Sequence, residues 1–195
     1  MIVITNPFSI ENEFQIIQQL FEEGLVLLHV RKPNYSEKEI RNFLSNIDEK
    51  HFSKLVLHEQ YHLAHEFKIN SIHLKEKNRV EVTENFQKTV SYVSTSVHNI
   101  NDFNELSPCF DAAFLSPVFE SISKPEYKSD GNLLASINHR TNFNAKLIAL
   151  GGITENNIKM VLDSGFDNVA LLGTIWLNDH PIKKFKQCQK IVHSY

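Results

Sequence analysis

Histidine side chains recur at or just beyond the ends of predicted β-strands. His29 lies in the apolar run 25–30, His58 follows the run 54–57, His73 lies in 71–74, and His98 comes shortly after 90–94. A histidine titrates near neutrality and can relay a proton, and Arg31 beside the first of them adds an anion-binding group. Each histidine alone is more typical of a neutral, hydrogen-bonded structural residue. Three or more at one end of a fold are unusual for structure alone and indicate a site.

Glycines near the end of the chain predict phosphate binding. Only 6 of the 195 residues are glycine, yet Gly151 and Gly152 follow one predicted strand and Gly173 follows the next. Glycine lets backbone N–H groups reach phosphate oxygens, and a short helix beginning near Thr174 would point its positive end at them. The alternative is that these glycines only end buried strands.

Further candidate phosphate ligands accompany the sixth predicted strand and the loop after it. They are Ser116, Ser121, Ser123 and Lys124. Hydroxyls and an ammonium group suit an anion, although a solvated loop lysine would give the same pattern.

Residues 58–62 read His-Glu-Gln-Tyr-His, which matches the zinc-protease motif H-E-x-x-H. That chemistry needs both histidines on one face of a helix. Because His58 directly follows a predicted strand, we expect the helical geometry to fail and His62 to be exposed on the next helix. The sequence therefore predicts no metal ligands.

Strand-like apolar runs alternate with amphipathic helical segments along the whole chain. Strands are predicted at 2–5, 25–30, 54–57, 71–74, 90–94, 111–118, 146–150 and 168–172. Ser36 and Glu39 form a capping box before an apolar stripe at helical spacing. Eight strands with helices between most of them predict one α/β domain over 1–195, a (β/α)₈ TIM barrel, with an open doubly wound sheet as the alternative. In a barrel, the residues named above would meet at the carboxyl ends of the strands.

The composition excludes several classes of protein. The chain is 42% hydrophobic and 22% charged, with a formal net charge of −3, which gives no reason to expect nucleic acid as a partner. No apolar run is long enough to span a membrane. Two cysteines make no disulfide framework, so we expect a cytoplasmic protein.

Six stretches, in their order and spacing, resemble the thiamine phosphate synthase/TenI family. They are 28–31 (LHVR), 71–74 (SIHL), 95–98 (TSVH), 115–124 (LSPVFESISK), 149–153 (ALGGI) and 169–173 (VALLG). The resemblance implies a (β/α)₈ barrel, a homodimer and a role in vitamin B1 (thiamine) biosynthesis. It implies one of two reactions. The synthase joins hydroxymethylpyrimidine diphosphate to a thiazole phosphate with Mg²⁺, whereas the TenI branch moves a proton to aromatise a thiazole carboxylate phosphate tautomer.

The resemblance also implies roles for single residues. Ser121, Ser123 and Lys124 look like the family's T-x-T-K phosphate motif, and Gly151, Gly152, Gly173 and Thr174 resemble its thiazole-phosphate cradle. His98 matches a histidine that transfers the proton in the tautomerase branch and also occurs in synthases. Arg31 matches an arginine that would orient the substrate carboxylate, and His29 completes the expected catalytic set.

Departures from the synthase pattern favour the tautomerase. The Q-x-R-x-K of synthases is His29 to Pro33 here, the Asn-Asp pair is His58-Glu59, and the second metal carboxylate is replaced by Asn78. Mg²⁺ is bound through one or two carboxylates, so the site is weakened for diphosphate. His58, Glu59 and His73 would line a second-substrate pocket. We therefore expect a thiazole tautomerase that needs no cofactor. An active synthase with Mg²⁺ and a non-catalytic sensor of thiamine phosphate are the alternatives.

Overall fold

Eight parallel strands pair in chain order and close into a barrel in the computed structural model, which describes residues 1–81, 90–120 and 133–195. The strands are β1 (Ile2–Ile4), β2 (Leu27–Val30), β3 (Leu55–Leu57), β4 (Ser71–Leu74), β5 (Tyr92–Val97), β6 (Ala112–Leu115), β7 (Lys146–Ala149) and β8 (Asn168–Leu171). Closure between β1 and β8 confirms the predicted barrel over the open sheet.

Helices follow most of the strands. Those within the described residues are α1 (Glu13–Glu22), α2 (Glu37–Ser45), α3 (His62–Glu66), α4 (Ile100–Asn104), α5 (Leu133–Ser136), α6 (Ile158–Asp163), α7 (Gly173–Trp176) and α8 (Pro181–Val192). Short 3₁₀ helices lie at Glu49–Lys54, Glu76–Glu81 and Ile137–His139. No helix in these parts of the chain has the length and apolar character needed to cross a lipid bilayer.

The capping box at the start of α2 forms as predicted. The Glu39 amide donates to Ser36 Oγ, and the Ser36 amide donates to Glu39 Oε2 at 2.7 Å. The cap begins a helix whose apolar stripe, Ile40, Phe43 and Leu44, is buried against the barrel. Three strands differ by two residues or more from their predicted bounds: β2 runs over Leu27–Val30 rather than 25–30, β5 over Tyr92–Val97 rather than 90–94, and β6 over Ala112–Leu115 rather than 111–118. The end of β5 lies later than predicted because its last residues pair with β6 as far as Leu115.

Apolar side chains form two cores. The larger core fills the space between the strands and the surrounding helices. The smaller core lies inside the barrel, and its members are Ile2, Ile4, Ala112, Phe114, Ile148 and Ala170. His29 and His73 extend this inner layer, since both rings pack near the Phe114 ring, at 4.8 and 5.0 Å between centroids. The barrel interior therefore combines an apolar side with a side made of histidines.

A buried ion pair connects the end of β2 to α1. Lys32 is 0% exposed, and its Nζ donates to both carboxylate oxygens of Glu13 at 2.7 Å and to the Phe8 carbonyl at 2.9 Å. Burial lowers the pKa of Lys32 and raises that of Glu13, and in each group the bond to the partner opposes the shift. The Lys32 ammonium therefore stabilises α1 against the barrel and lies away from the cavity.

The two ends of the chain also meet at the barrel seam. β1 pairs with β8, and the Trp176 indole Nε1 in α7 donates to the carbonyl of Ile4 at 2.6 Å. Closure therefore joins segments that are far apart along the sequence.

Candidate functional site

A cavity of about 440 Å³ opens at the carboxyl ends of the strands. This volume lies within the range of small-molecule sites. Its polar lining is formed by Arg31, His58, His73, Lys75, Glu76, Ser96, His98, Ser116, Gly151, Gly152, Gly173 and Thr174. Most of the candidate residues that lie among the described residues are thus brought together. Ser121, Ser123 and Lys124 lie outside the described residues.

His98 is held at the exposed rim of this cavity by one backbone contact. Its Nδ1 lies 2.9 Å from the carbonyl oxygen of Ser116, just beyond β6. Because a carbonyl only accepts hydrogen bonds, Nδ1 carries the hydrogen and Nε2 of the neutral ring carries a lone pair. That tautomer makes Nε2 a proton acceptor at the cavity.

Arg31 lines the cavity. Its backbone is fixed by Thr5: the Arg31 amide donates to Thr5 Oγ1 at 2.9 Å, and that hydroxyl donates to the Arg31 carbonyl at 3.1 Å. The guanidinium itself makes no hydrogen bond or ion pair with any described residue. A guanidinium free of protein partners can bind a carboxylate or phosphate in bidentate fashion.

Backbone amides after β7 and β8 supply a second anion-binding element. The N–H groups of Gly151, Gly152, Gly173 and Thr174 line the cavity and donate to no acceptor among the described residues. The Thr174 hydroxyl donates instead to the Ile153 carbonyl, so its hydrogen is not available to a ligand. The backbone amide of this residue, rather than its side chain, can act as a donor to phosphate.

The first two of these glycines cannot be replaced without distortion. Gly151 has φ +100°, and a Cβ there would lie 2.8 Å from the Pro117 Cα. Gly152 has φ +62°, and a Cβ would lie 2.6 Å from the Glu120 carbonyl oxygen. The loop after β6 therefore packs directly on the glycines that follow β7.

Replacing Gly151 with alanine is expected to lower the free energy of unfolding more than Gly24→Ala does, by about 1–3 kcal/mol. Both positions have similar positive φ, but a Cβ at Gly24 (φ +91°) meets only the flexible Gln189 side chain at 3.3 Å. The control therefore measures backbone strain without the clash against Pro117. Urea unfolding of the two variants gives the comparison, and equal losses would contradict the proposed contact.

Three histidines form a buried cluster below the cavity. His29 Nδ1 lies 2.9 Å from His58 Nε2, and the His58 and His73 rings stack at 4.1 Å between centroids. The two ring nitrogens of His73 lie 2.9 Å from the hydroxyls of Ser94 and Ser96. Burial lowers the pKa of His73 to about 3 and lowers the pKa of His29 and His58 well below the usual value, with further lowering from neighbouring charges. All three rings are therefore neutral at neutral pH.

The members of this cluster differ in access to the cavity. His58 and His73 line it, whereas His29 is 0% exposed and lies beneath them without lining it. The structure gives His29 no direct contact with a ligand in the cavity, so its assignment as a catalytic residue stays a prediction. The His29 ring packs against the rings of His58 and His73, which do line the cavity.

The carboxylates near the cavity fit Mg²⁺ poorly. Glu59 does not line the cavity, and its buried Oε1 lies 3.1 Å from the Lys75 ammonium but makes no hydrogen bond with any described residue. Glu76 lines the cavity but lies 3.9 Å from the Arg79 guanidinium. Mg²⁺ is held by carboxylates together with substrate phosphates, and here each nearby described carboxylate faces a cation. Sequence reasoning missed Lys75 and Glu76 as lining residues, although both directly follow β4.

The H-E-x-x-H motif does not form a zinc site. His58 lies inside the barrel, while His62 begins α3 on the surface, with its Nε2 3.2 Å from the Glu37 carboxylate. The two histidines are on different sides of the strand–helix turn. The expectation from sequence that the helical geometry fails is confirmed.

The closed barrel and its cavity at the carboxyl ends of the strands place the chain among the (β/α)₈-barrel proteins with a small-molecule site at that end. The family model described as thiamine monophosphate synthase matches residues 1–175. The chain therefore belongs to the thiamine monophosphate synthase family and to a family of thiamine-pathway enzymes.

Individual relatives agree with this assignment. The chain is similar to a thiamine-phosphate synthase of Anoxybacillus flavithermus, with 28% identity over 70% of this chain and 64% of the relative, so it spans less than two thirds of that protein. It is 26% identical to a thiamine-phosphate synthase of Hydrogenobaculum sp. over 97% of this chain and 92% of the relative. Among solved structures, a thiamine phosphate pyrophosphorylase from Bacteroides thetaiotaomicron shares 30% identity, with a TM-score of 0.79 over 99% of this chain and 97% of that one.

Proposed function

We propose that this protein is a thiazole tautomerase of the thiamine pathway, acting on a thiazole carboxylate phosphate. The observation that carries the proposal is the His98 ring at the cavity rim: its Nδ1 is fixed on the Ser116 carbonyl, and its Nε2 has no hydrogen-bond partner in the part of the chain that the structure describes. A proton shift needs one such group and neither a metal nor a second substrate.

Different lining residues would bind different groups of the substrate. The backbone amides of the cavity lining after β7 and β8 would bind the phosphate, and the Arg31 guanidinium would bind the carboxylate. His98 Nε2 would take a proton from one ring position of the tautomer and return the same proton to another. The proton count is unchanged, and the product is the aromatic thiazole. This expected reaction requires no cofactor.

A second candidate is thiamine-phosphate synthase activity, favoured by the names of the relatives. That reaction joins hydroxymethylpyrimidine diphosphate to a thiazole phosphate and releases pyrophosphate. It requires Mg²⁺ to neutralise the leaving group, and the ion-paired carboxylates Glu59 and Glu76 are poorly suited to hold that ion. The homodimer and the cytoplasmic location stay predictions.

Two assays on the same preparation separate these functions. We expect the protein to convert the thiazole carboxylate tautomer to its aromatic form without metal, followed by proton NMR. We expect little thiamine phosphate when both synthase substrates and Mg²⁺ are supplied. Rapid formation of thiamine phosphate with no tautomer turnover would overturn the proposal. Tight binding of thiamine phosphate in calorimetry with neither turnover would instead support a non-catalytic sensor.

A further inference from the structure

The strongest unexplained feature of the barrel interior is its histidine cluster. His29, His58 and His73 come from three consecutive strand ends, β2 to β4. One nitrogen of each ring lies within 4.8 Å of one nitrogen of each of the other two. The mechanism proposed above uses none of the three as a proton-transfer group. Their convergence therefore needs a separate explanation.

We propose that these three histidines form a binding site for a divalent transition-metal ion, Zn²⁺ above all, in the floor of the cavity. Imidazole nitrogen is a ligand that suits zinc, copper, nickel and iron, whereas Mg²⁺ prefers oxygen. It shares His58 with the H-E-x-x-H segment but does not use His62, which lies on the surface beside Glu37.

An unsatisfied nitrogen supports this assignment. His29 is fully buried, and its Nε2 has no hydrogen-bond partner among the described residues. A buried polar atom without a partner costs about 1–3 kcal/mol. An apolar residue at position 29 would avoid that cost, yet the position holds a histidine that lies beside two others. A metal ion that bound His29 Nε2 would give this nitrogen the partner that it lacks among the described residues.

The spacing of the rings needs only side-chain adjustment. Zinc binds nitrogen at about 2.0–2.1 Å, so two nitrogens of a tetrahedral site are about 3.4 Å apart. One nitrogen of each ring lies within 4.8 Å of those of the other two, and His29 Nδ1 is already 2.9 Å from His58 Nε2. Rotation about the histidine side-chain bonds would lengthen or shorten these distances to the required value. His73 would exchange one of its two serine contacts for the metal and keep the other as an orienting hydrogen bond.

The position of the cluster determines where a fourth ligand would bind. His58 and His73 line the cavity, while His29 closes the site from below. An ion held by three histidines would therefore have its open coordination position toward the cavity, where a water molecule or a substrate atom would bind. Structural zinc sites have four protein ligands, so an ion on this cluster would keep one position open for a small ligand.

The test is direct metal titration of protein freed of metal with a chelator. We expect Co²⁺ to bind in a 1:1 ratio, to give the intense visible absorption of a tetrahedral site, and to be displaced by Zn²⁺. His29→Gln, His58→Gln and His73→Gln should each weaken binding by at least about 100-fold, because loss of an outer partner alone already costs about 10–100-fold. Absence of saturable 1:1 binding would overturn the proposal.

His62→Gln is the matched control, since it alters the second histidine of the same H-E-x-x-H segment. We expect it to bind Co²⁺ as the unchanged protein does, because His62 is paired with Glu37 on the surface. Loss of binding in His62→Gln with retention in His29→Gln would refute the cluster. If a cluster variant does not fold, side-chain ¹⁵N NMR of the unchanged protein decides: Zn²⁺ must shift three histidines, and a shift confined to others refutes the site. Failure of the tautomerase assays would leave this result unaffected.

Discussion

Replacing His98 with glutamine is expected to lower kcat for the thiazole tautomer by about 10²–10⁴-fold, the usual contribution of a general acid–base group. The glutamine amide can still donate to the Ser116 carbonyl, which holds His98 Nδ1 at 2.9 Å. It lacks a basic nitrogen that accepts a proton, so the substitution removes the proton-transfer group while keeping a polar side chain of similar size. KM should change much less than kcat, because the phosphate and carboxylate contacts are made by other groups.

His65→Gln is the matched control for this prediction. His65 is an exposed histidine of α3 and does not line the cavity. Steady-state kinetics followed by NMR should give unchanged values for this variant. Undiminished turnover in His98→Gln would remove His98 from the proton-transfer role, even if the protein proved to be a tautomerase.

Replacing Lys32 with methionine is expected to lower the free energy of unfolding by about 3–5 kcal/mol, because the buried Glu13 carboxylate would lose its partner. Glu13 is only 4% exposed, and both of its oxygens lie 2.7 Å from Lys32 Nζ. Burial already raises the pKa of Glu13, and the contacts with Lys32 are what oppose that rise. Without Lys32 the pKa of Glu13 rises further.

The direction of the pH dependence follows from that rise. A carboxyl whose pKa is higher in the folded than in the unfolded state destabilises the fold when it is ionised, and this cost disappears as the pH falls through the folded pKa. The difference between Lys32→Met and the unchanged protein should therefore shrink as the pH is lowered. Urea unfolding at several pH values measures this difference in the free energy of unfolding. A difference that grows toward low pH would contradict the prediction.

Two further variants test whether the loss of stability comes from the unpaired buried charge. The double variant Glu13→Leu/Lys32→Met should recover most of the lost stability, because apolar replacement of a buried pair is often neutral or stabilising. Lys186→Met breaks an exposed pair with Glu23 and should cost less than about 1 kcal/mol. A double variant as unstable as Lys32→Met alone would show that packing, rather than charge, decides the effect.

The barrel and the edge that carries the site were predictable from sequence because they depend on local patterns. Apolar runs of strand length and the helices between them define the order of elements. Residues directly after each strand then lie at the same end of the barrel, as Gly151 and His98 do. The capping box of α2 was equally local, since Ser36 and Glu39 are three residues apart.

The inner arrangement was not predictable, because it depends on how separate strands pair. His29 lies beside Ile4 and Val56 in the sheet, and that register buries it below His58. The pairing of Glu59 with Lys75 joins two different strand ends, and the burial of Lys32 depends on a glutamate 19 residues earlier. None of these contacts has a signature in the spacing of residues along the chain.

The seam between β1 and β8 has a consequence for how the protein is made. During synthesis β1 emerges early, yet its second neighbour and the Trp176 indole that binds the Ile4 carbonyl come 166 or more residues later. Because synthesis adds about 5–20 residues per second, one edge of β1 stays unpaired on the ribosome for roughly 10–30 s. An unpaired edge can pair with other chains, so the growing polypeptide is most exposed to aggregation in that interval. Circular permutation that places β8 before β1 would remove the wait while leaving the finished barrel unchanged.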